Sequence, residues 1–452
     1  MGDKGLTKNF EFLSPVYKPL KQESDKRKIM SIILKNTCFI DWESFSFSNT
    51  NLKVEEGIDG SVQFYDDFDE ISFSANDEVI DCKGKFVTKS FAIGHHHAYS
   101  ALARGMPAPV KTPSNFLEIL KYVWWKLDKA LDKEMIEASA LATAMDCAKA
   151  GTTFTIDHHA SPNFIKGSLD VIADAFEKVG VSYLLCYEIS DRDGLDKAQQ
   201  GLEETGAYLK KNQGLVGLHA SFTVGDVTLN KAVDLMQNAF SGIHIHVAED
   251  DYDQRHCMQH YNKRVVERLN DFGILDSSKT ILAHCLHIDE NERDIINNSE
   301  VYIVQNTESN LNNNVGYFNS KALGNNIMLG TDGMHSDMLR SAKFAYFVGQ
   351  GKDEIDFTST YHRFREIHNY LGINKFSGDG QNNLVILDYD SPTEINEGNF
   401  LGHFIFGLTS NHVQHVISDG KLIVKDKIIQ TVNEEEILNF TKEQSLRLWK
   451  KL

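Results

Sequence analysis

The sequence predicts an α/β chain: a (β/α)8 TIM barrel with a small β-sandwich domain built from both chain ends. Three observations predict it. Eight short apolar runs alternate with helical stretches over about 290 residues. Both ends of the chain are rich in strands, and chain termini often lie close together. No GxGxxG follows an early strand, so the rival doubly wound open sheet lacks its usual mark.

Residues 1–28 are polar, carry no signal-peptide apolar core and read as an N-terminal extension. From Met30 the pattern turns strand-like, at Ile32-Ile33-Leu34, Ser61-Val62-Gln63-Phe64 and Val79-Ile80-Asp81. The eight barrel strands are predicted at Phe91–His97, Thr152–His158, Val181–Ile189, Leu215–Ser221, Gly242–Ala248, Thr280–Leu286, Val301–Asn306 and Ile327–Thr331. Asn115 to Ala150 reads as the longest helix, with Asn115 and Glu118 spaced like a capping box. Trp124-Trp125 reads as its buried face, and the charges from Lys121 to Lys133 as its solvated face. Strands return at Leu384–Leu387, Val413–Ile417 and Leu422–Val424, with Asp419-Gly420 as a hairpin turn. A helix from Glu434 to Trp449 closes the chain. The expected domains are therefore 1–28 as extension, 29–88 with 381–452 as the composite β-sandwich, and 89–380 as a metal-dependent barrel.

Composition narrows the partners. A formal charge of −18 argues against nucleic acid and anionic membrane. Six scattered cysteines without a CxxC pair argue for a reducing cytoplasm rather than a disulfide framework. A small-molecule enzyme fits best, and a homodimer is the assembly to test.

The strand ends carry the chemistry. His95 and His97 stand two apart on the first strand, so both imidazoles face one way. The second strand ends in Asp157, His158 and His159, the third near Glu188, and the fourth in His219. His244, His246 and Glu249 belong to the fifth, His284 to the sixth, Asn310 and Asn312 to the seventh, and Asp332 to the eighth. In a barrel these residues meet at one mouth. A hydrolytic zinc site needs nitrogen or carboxylate ligands and one open position for water, whose pKa then falls to about 7. His95, His97, His246 and Asp332 fit as ligands, with Glu249 beside the water.

Longer motifs carry a resemblance. Ile245-His246-Val247-Ala248-Glu249, Ala283-His284-Cys285 and Leu329-Gly330-Thr331-Asp332-Gly333 resemble the deaminase and chlorohydrolase branch of the amidohydrolase superfamily. Ile156-Asp157-His158-His159-Ala160-Ser161-Pro162, Ser190-Asp191-Arg192-Asp193-Gly194 and Ser309-Asn310-Leu311-Asn312-Asn313 are similar to its SsnA-type aminohydrolases. The resemblance covers Met30 to Leu452. It departs at Lys89-Ser90-Phe91, where the usual Pro-Gly is missing, and at Gly380-Gln381-Asn382-Asn383-Leu384.

The resemblance implies a metal-bearing barrel with His95, His97, His246 and Asp332 as ligands. It makes Glu249 the proton shuttle, His284 the group that polarises the attacked centre, and His219 a substrate contact. Arg104 is a further candidate for substrate, against an ordinary surface ion pair. No lysine ends the third or fourth strand, so one divalent ion is expected, zinc first and iron second. Deamination of a nitrogen heterocycle is the first choice. Ring opening of a cyclic amide, a non-catalytic metal-binding barrel and a two-metal hydrolase stay open.

Overall fold

The structure is a computed structural model that describes residues 31–72 and 74–452. The extension expected over residues 1–28 lies outside the described residues. Eight parallel strands alternate with helices, each within two residues of its predicted start. They are β1 (Phe91–His96), β2 (Thr152–His159), β3 (Ser182–Tyr187), β4 (Val216–Ala220), β5 (Ile243–Val247), β6 (Ile281–His284), β7 (Tyr302–Gln305) and β8 (Ile327–Leu329). β1–β3 form one sheet in chain order, and β4–β8 form another. Isolated parallel bridges join the two at both seams: Leu185 to Gly214 and Ile189 to Leu218 on one side, His96 to Asp332 on the other.

These strands are buried along their whole length, apart from the half-buried Ser182 and Tyr183 that open β3, as parallel strands covered by helices must be. The β3–β4 seam is tight. A Cβ on Gly217 would lie 2.3 Å from the Tyr187 carbonyl oxygen and 2.8 Å from its carbon. Both atoms are backbone and cannot swing aside. Gly217→Ala is expected to cost about 1–3 kcal/mol through overpacking, seen as a lowered denaturation midpoint with the slope unchanged.

The helix expected from Asn115 to Ala150 is not continuous. It runs as Phe116–Ile119, a wide π turn at Leu120–Trp124, and Trp125–Ala130. Leu131 then turns extended, and the Asp132 side chain caps a new helix, Lys133–Lys149, by accepting from Met135 N–H at 3.2 Å. Asn115 does cap the first piece, accepting from Glu118 N–H at 3.0 Å. Glu118 bonds Ser114 instead of completing the box.

The two chain ends share one nine-stranded sheet. Phe86–Lys89 pairs antiparallel with Leu384–Leu387 and parallel with Ser31–Ile40, so N-terminal and C-terminal strands meet there. Ile32, Leu34, Leu52, Leu384, Ile386 and Ile417 pack in one apolar cluster. Phe47–Glu55, with the polar run Ser48 to Asn51, is a strand that apolar patterning overlooks. Asp419 and Gly420 both take positive φ in the expected hairpin turn. None of the six cysteines is bonded to another. Among the described residues no helix is long and apolar enough to cross a membrane.

Candidate active site

The C-terminal ends of the eight strands bring the expected ligands together. His97 Nε2 lies 3.2 Å from His246 Nε2 and 3.1 Å from Asp332 Oδ1. His95 Nε2 lies 3.5 Å from the same carboxylate oxygen. A tetrahedral ion with bonds of 2.0–2.2 Å has ligand-to-ligand edges of about 3.3–3.6 Å. The contacts of 3.1–3.5 Å among the four groups are close to those edges, and the three imidazoles lie within 4.8 Å of one another.

Proton placement, assigned from the partners each nitrogen meets, points the lone pairs inward. His97 Nδ1 donates to the His158 carbonyl at 2.6 Å, and His246 Nδ1 donates to the His219 carbonyl at 2.8 Å. His95 is set by a longer relay. Cys186 Sγ donates to the Asp157 carbonyl at 3.6 Å and accepts from His244 Nδ1 at 3.7 Å. His244 Nε2 then accepts from His95 Nδ1 at 2.9 Å. All three Nε2 atoms keep their lone pairs for the centre, and His95 Nε2 is fully buried with no hydrogen-bond partner. An orphaned acceptor of that kind is costly unless something binds it. The donor set fits a divalent ion. His244→Phe, which removes the acceptor that orients His95, is expected to weaken zinc binding about 10–100-fold, measured by competition with a chelating dye.

The electrostatics agree. Burial opposes charge on His97, but the Asp332 carboxylate overrides it and lifts the imidazole to about 9. Burial likewise opposes charge on Asp332, yet His95 and His97 hold it well below the carboxylate range. The centre of the cluster favours positive charge. Burial, with His97 and His158 adding to it, takes His95 down to about 3 against the pull of Asp332.

Backbone geometry turns the functional side chains inward. Asp332 (φ 49°), His284 (φ 75°), Cys285 (φ 53°) and Ala248 (φ 46°) all take the left-handed region that non-glycine residues avoid. Such strain persists where the surroundings over-determine it, commonly at functional sites. Here the N–H groups of Thr331 and Asp332 both donate to the His95 carbonyl at 3.1 Å.

Glu249 follows β5 and faces His284. Its Oε2 is 3.6 Å from His284 Nε2, and the ligand-capable atoms of Glu249, His284 and Asp332 lie within 4.8 Å of one another. Burial raises the Glu249 carboxyl well above its ordinary range, and the neighbouring Asp332 adds to the shift. The Asn310 amide donates to His284 Nδ1 at 2.8 Å, so the Nε2–H points at the Glu249 side. Burial lowers His284 to about 4, keeping it neutral.

A cavity of about 630 Å³ opens above the cluster. Its polar floor includes His97, His246, Glu249 and Asp332. Tyr99, Phe116, Leu120, Trp124 and Trp125 supply aromatic and apolar wall. His219 lines it as expected, its Nδ1 held by Thr223 Oγ1 at 2.7 Å. Arg104 is not brought there. Its side chain is 60% exposed and pairs with Asp146 at 3.0 Å on the surface. The guanidinium at the cavity is that of Arg192, buried between Asp128, Glu188 and Asp193.

Several neighbours escaped the sequence reading. Ser309 donates to Asp332 Oδ2, and Asn313 reaches Glu249 Oε1 at 3.4 Å. Their four-residue spacing in the Ser309–Asn313 motif was the available signal, since it places both on one helical face. Trp124 and Trp125 line the cavity rather than only backing a helix, and Asp128, inside the stretch read as solvated, is buried. His96 faces away from the cluster, towards Ser336 at 3.4 Å.

A profile of the amidohydrolase family matches residues 93–361, more than half of the chain. The chain belongs to the amidohydrolase family. The resemblance read from the strand-end motifs is thereby met. The chain is 26% identical over 405 residues to the 5′-deoxyadenosine deaminase of Methanopyrus kandleri, covering 84% of this chain and 91% of that protein. It is 25% identical over 436 residues to the 5-methylthioadenosine/S-adenosylhomocysteine deaminase of Thermoanaerobacter pseudethanolicus, covering 90% and 97%. Its fold matches that of an adenosine deaminase from Xanthomonas campestris with bound zinc, at a TM-score of 0.79 and 17% identity over 93% of this chain and 98% of that one. A zinc complex of the atrazine chlorohydrolase of Arthrobacter aurescens TC1 matches at 0.77 and 14%, over 92% and 100%.

Proposed function

We propose that the chain is a metal-dependent aminohydrolase that releases ammonia from a nitrogen heterocycle. One observation carries the proposal. Three imidazole lone pairs and a carboxylate converge near metal-ligand separations, with Glu249 beside them on the floor of a cavity and His284 buried next to Glu249. The eight parallel strands act as a closed barrel with this site at its C-terminal rim. The nine-stranded sheet that both chain ends build, from strands within 31–89 and 384–429, is a small composite β domain set against it.

His95, His97, His246 and Asp332 hold one divalent ion, zinc in the first instance and iron in the second. When bound, the ion makes water a nucleophile at neutral pH and polarises the attacked centre. Glu249 takes the proton that water loses and passes it to the departing nitrogen, a role suited to a carboxyl whose protonated form burial favours. The His284 Nε2–H stabilises negative charge that develops on the attacked ring. The second proton, lost from the added oxygen as ammonia departs, is accepted by Asp332, which Ser309 steadies, and ends on the ring nitrogen. His219 accepts a hydrogen bond from the substrate, and Trp124 and Trp125 flank the ring.

The named relatives act on adenosine derivatives, which makes the exocyclic amine of a purine the first choice. The test is ammonia release by the zinc-loaded protein over adenosine derivatives, free purines, pterins, pyrimidines and triazines. Ammonia formation supports the proposal. Substrate loss without ammonia favours ring opening. Metal bound with no turnover across the panel favours a non-catalytic barrel.

A further inference from the structure

We infer that the end of the cavity beyond the metal ligands is a specificity subsite, where Asp128 Oδ1 and Trp125 Nε1–H take a hydroxylated substituent of the substrate and turn away an anionic one. The inference rests on the proposed heterocycle reaction and adds to it the class of substituent. Both residues line the cavity. Asp128 is 1% exposed, and its Oδ1 is buried without a hydrogen-bond partner, as is Trp125 Nε1. The two residues stand three apart on the helix Trp125–Ala130, so they share one face. A buried carboxylate oxygen and a buried indole N–H without partners are unfavourable until a ligand supplies them. The indole only donates, and the ionised carboxylate only accepts. A hydroxylated substituent offers both an acceptor and a donor.

Charge decides against anions. Arg192 is the cation at this end, and each of its three nitrogens already faces a carboxylate. Its Nη2 binds Asp128 Oδ2, its Nε lies 3.1 Å from Asp193 Oδ2, and its Nη1 lies 3.5 Å from Glu188 Oε1. It also lies over the Trp125 ring, 5.2 Å from the centroid. Three carboxylates thus surround one guanidinium, and Lys129, paired with Asp193, offsets only one of the other two. Burial pushes the Asp128 carboxyl up to about 7 against the pull of Arg192, with Glu188 and Asp193 adding to the rise. An arriving carboxylate or phosphate would meet the bare Asp128 oxygen and no free guanidinium nitrogen, a like-charge contact that rejects a ligand. Ring contacts set the depth of the subsite. The Trp125 ring lies 6.0 Å from His219, and His219 lies 5.6 Å from the ligand His246, centroid to centroid. A substrate whose amine reaches the ligands therefore brings its substituent, and not its reacting carbon, to Asp128.

The test reads binding, so it does not depend on turnover. Zinc-loaded Glu249→Gln protein is titrated calorimetrically with adenine, cytosine, pterin and aminotriazine cores. Each core carries a hydroxyl, a carboxylate or a methyl group on short alkyl arms of matched length. On every core that binds, the hydroxyl arm is expected to bind about 10–100-fold tighter than the carboxylate arm, the scale of a hydrogen bond to a charged group. Adding Asp128→Asn should reverse that order. Arg192 would hold the amide oxygen and turn the amide N–H to the cavity, making a donor of the acceptor. Adding Trp125→Phe should narrow the lead of the hydroxyl arm over the methyl arm by about 2–10-fold, a comparison that stands whether or not the Asp128 variant folds. A carboxylate arm that binds as tightly as the hydroxyl arm with Asp128 and Trp125 in place would overturn the inference. So would a hydroxyl preference that both variants keep in full. Binding by none of the cores would remove this subsite together with the heterocycle reading. Ammonia release by the protein with Glu249 intact, without preference among the arms, would keep the reaction and remove the subsite. A hydroxyl preference without ammonia release would keep the subsite and remove the reaction.

Discussion

Glu249→Gln is expected to lower turnover by about 100-fold or more, the scale of general acid–base catalysis, while zinc content stays near that of the unaltered protein. The substitution keeps shape and the Asn313 contact but removes the titrating oxygen. Glu249 is half-buried beside His284 and close to Asp332 without being one of the four convergent ligands. Metal analysis and steady-state kinetics on the same preparation separate the two roles. Turnover unchanged with metal in place would remove Glu249 from proton transfer. Turnover and metal lost together would make it a ligand.

Removal of the ion has the larger effect. Dialysis against a chelator is expected to reduce hydrolysis by at least about 10⁴-fold, because ordinary water is acidic only at a pKa near 15.7 against about 7 on zinc. Zinc added back restores it. His246→Ala is expected to give the same loss without recovery at stoichiometric zinc, since His246 Nε2 is 3.2 Å from His97 Nε2 on the shared centre. Stability should fall as well. The ion binds only the folded chain, so its loss removes RT ln(1 + [L]/Kd), about 4 kcal/mol at a thousandfold excess over Kd. A thermal melt with and without chelator measures that term.

Much of this was legible in the chain because strand ends are local. HxH on one strand obeys a two-residue period, so His95 and His97 could be placed on one face before any coordinates, and HxxE put Glu249 just past the end of the strand that carries His246. Apolar runs that are buried on both faces marked all eight parallel strands. Side chains that act from helices were harder to see. Ser309 and Asn313 reach the site from a short helix after β7, and Asn310 from that same helix orients His284. His244 could be placed only on the fifth strand, yet it sets the tautomer of His95. Arg104 and Arg192 show the limit most plainly. Both follow a barrel strand by a few residues, and only the packing of Asp128 and Glu188 decides which arginine faces the cavity. The break at Leu131-Asp132 was missed because residues on both sides of it favour helix, and a single Asp cap ended one helix and began another.

The central claim is that His95, His97, His246 and Asp332 share one cation. Anomalous diffraction at the zinc edge on crystals of the zinc-loaded protein tests it directly. The account predicts a peak about 2.0–2.2 Å from the three Nε2 atoms and one Asp332 oxygen. A zinc-loaded crystal whose anomalous peak lies away from those four atoms, with the side chains apart, would contradict it.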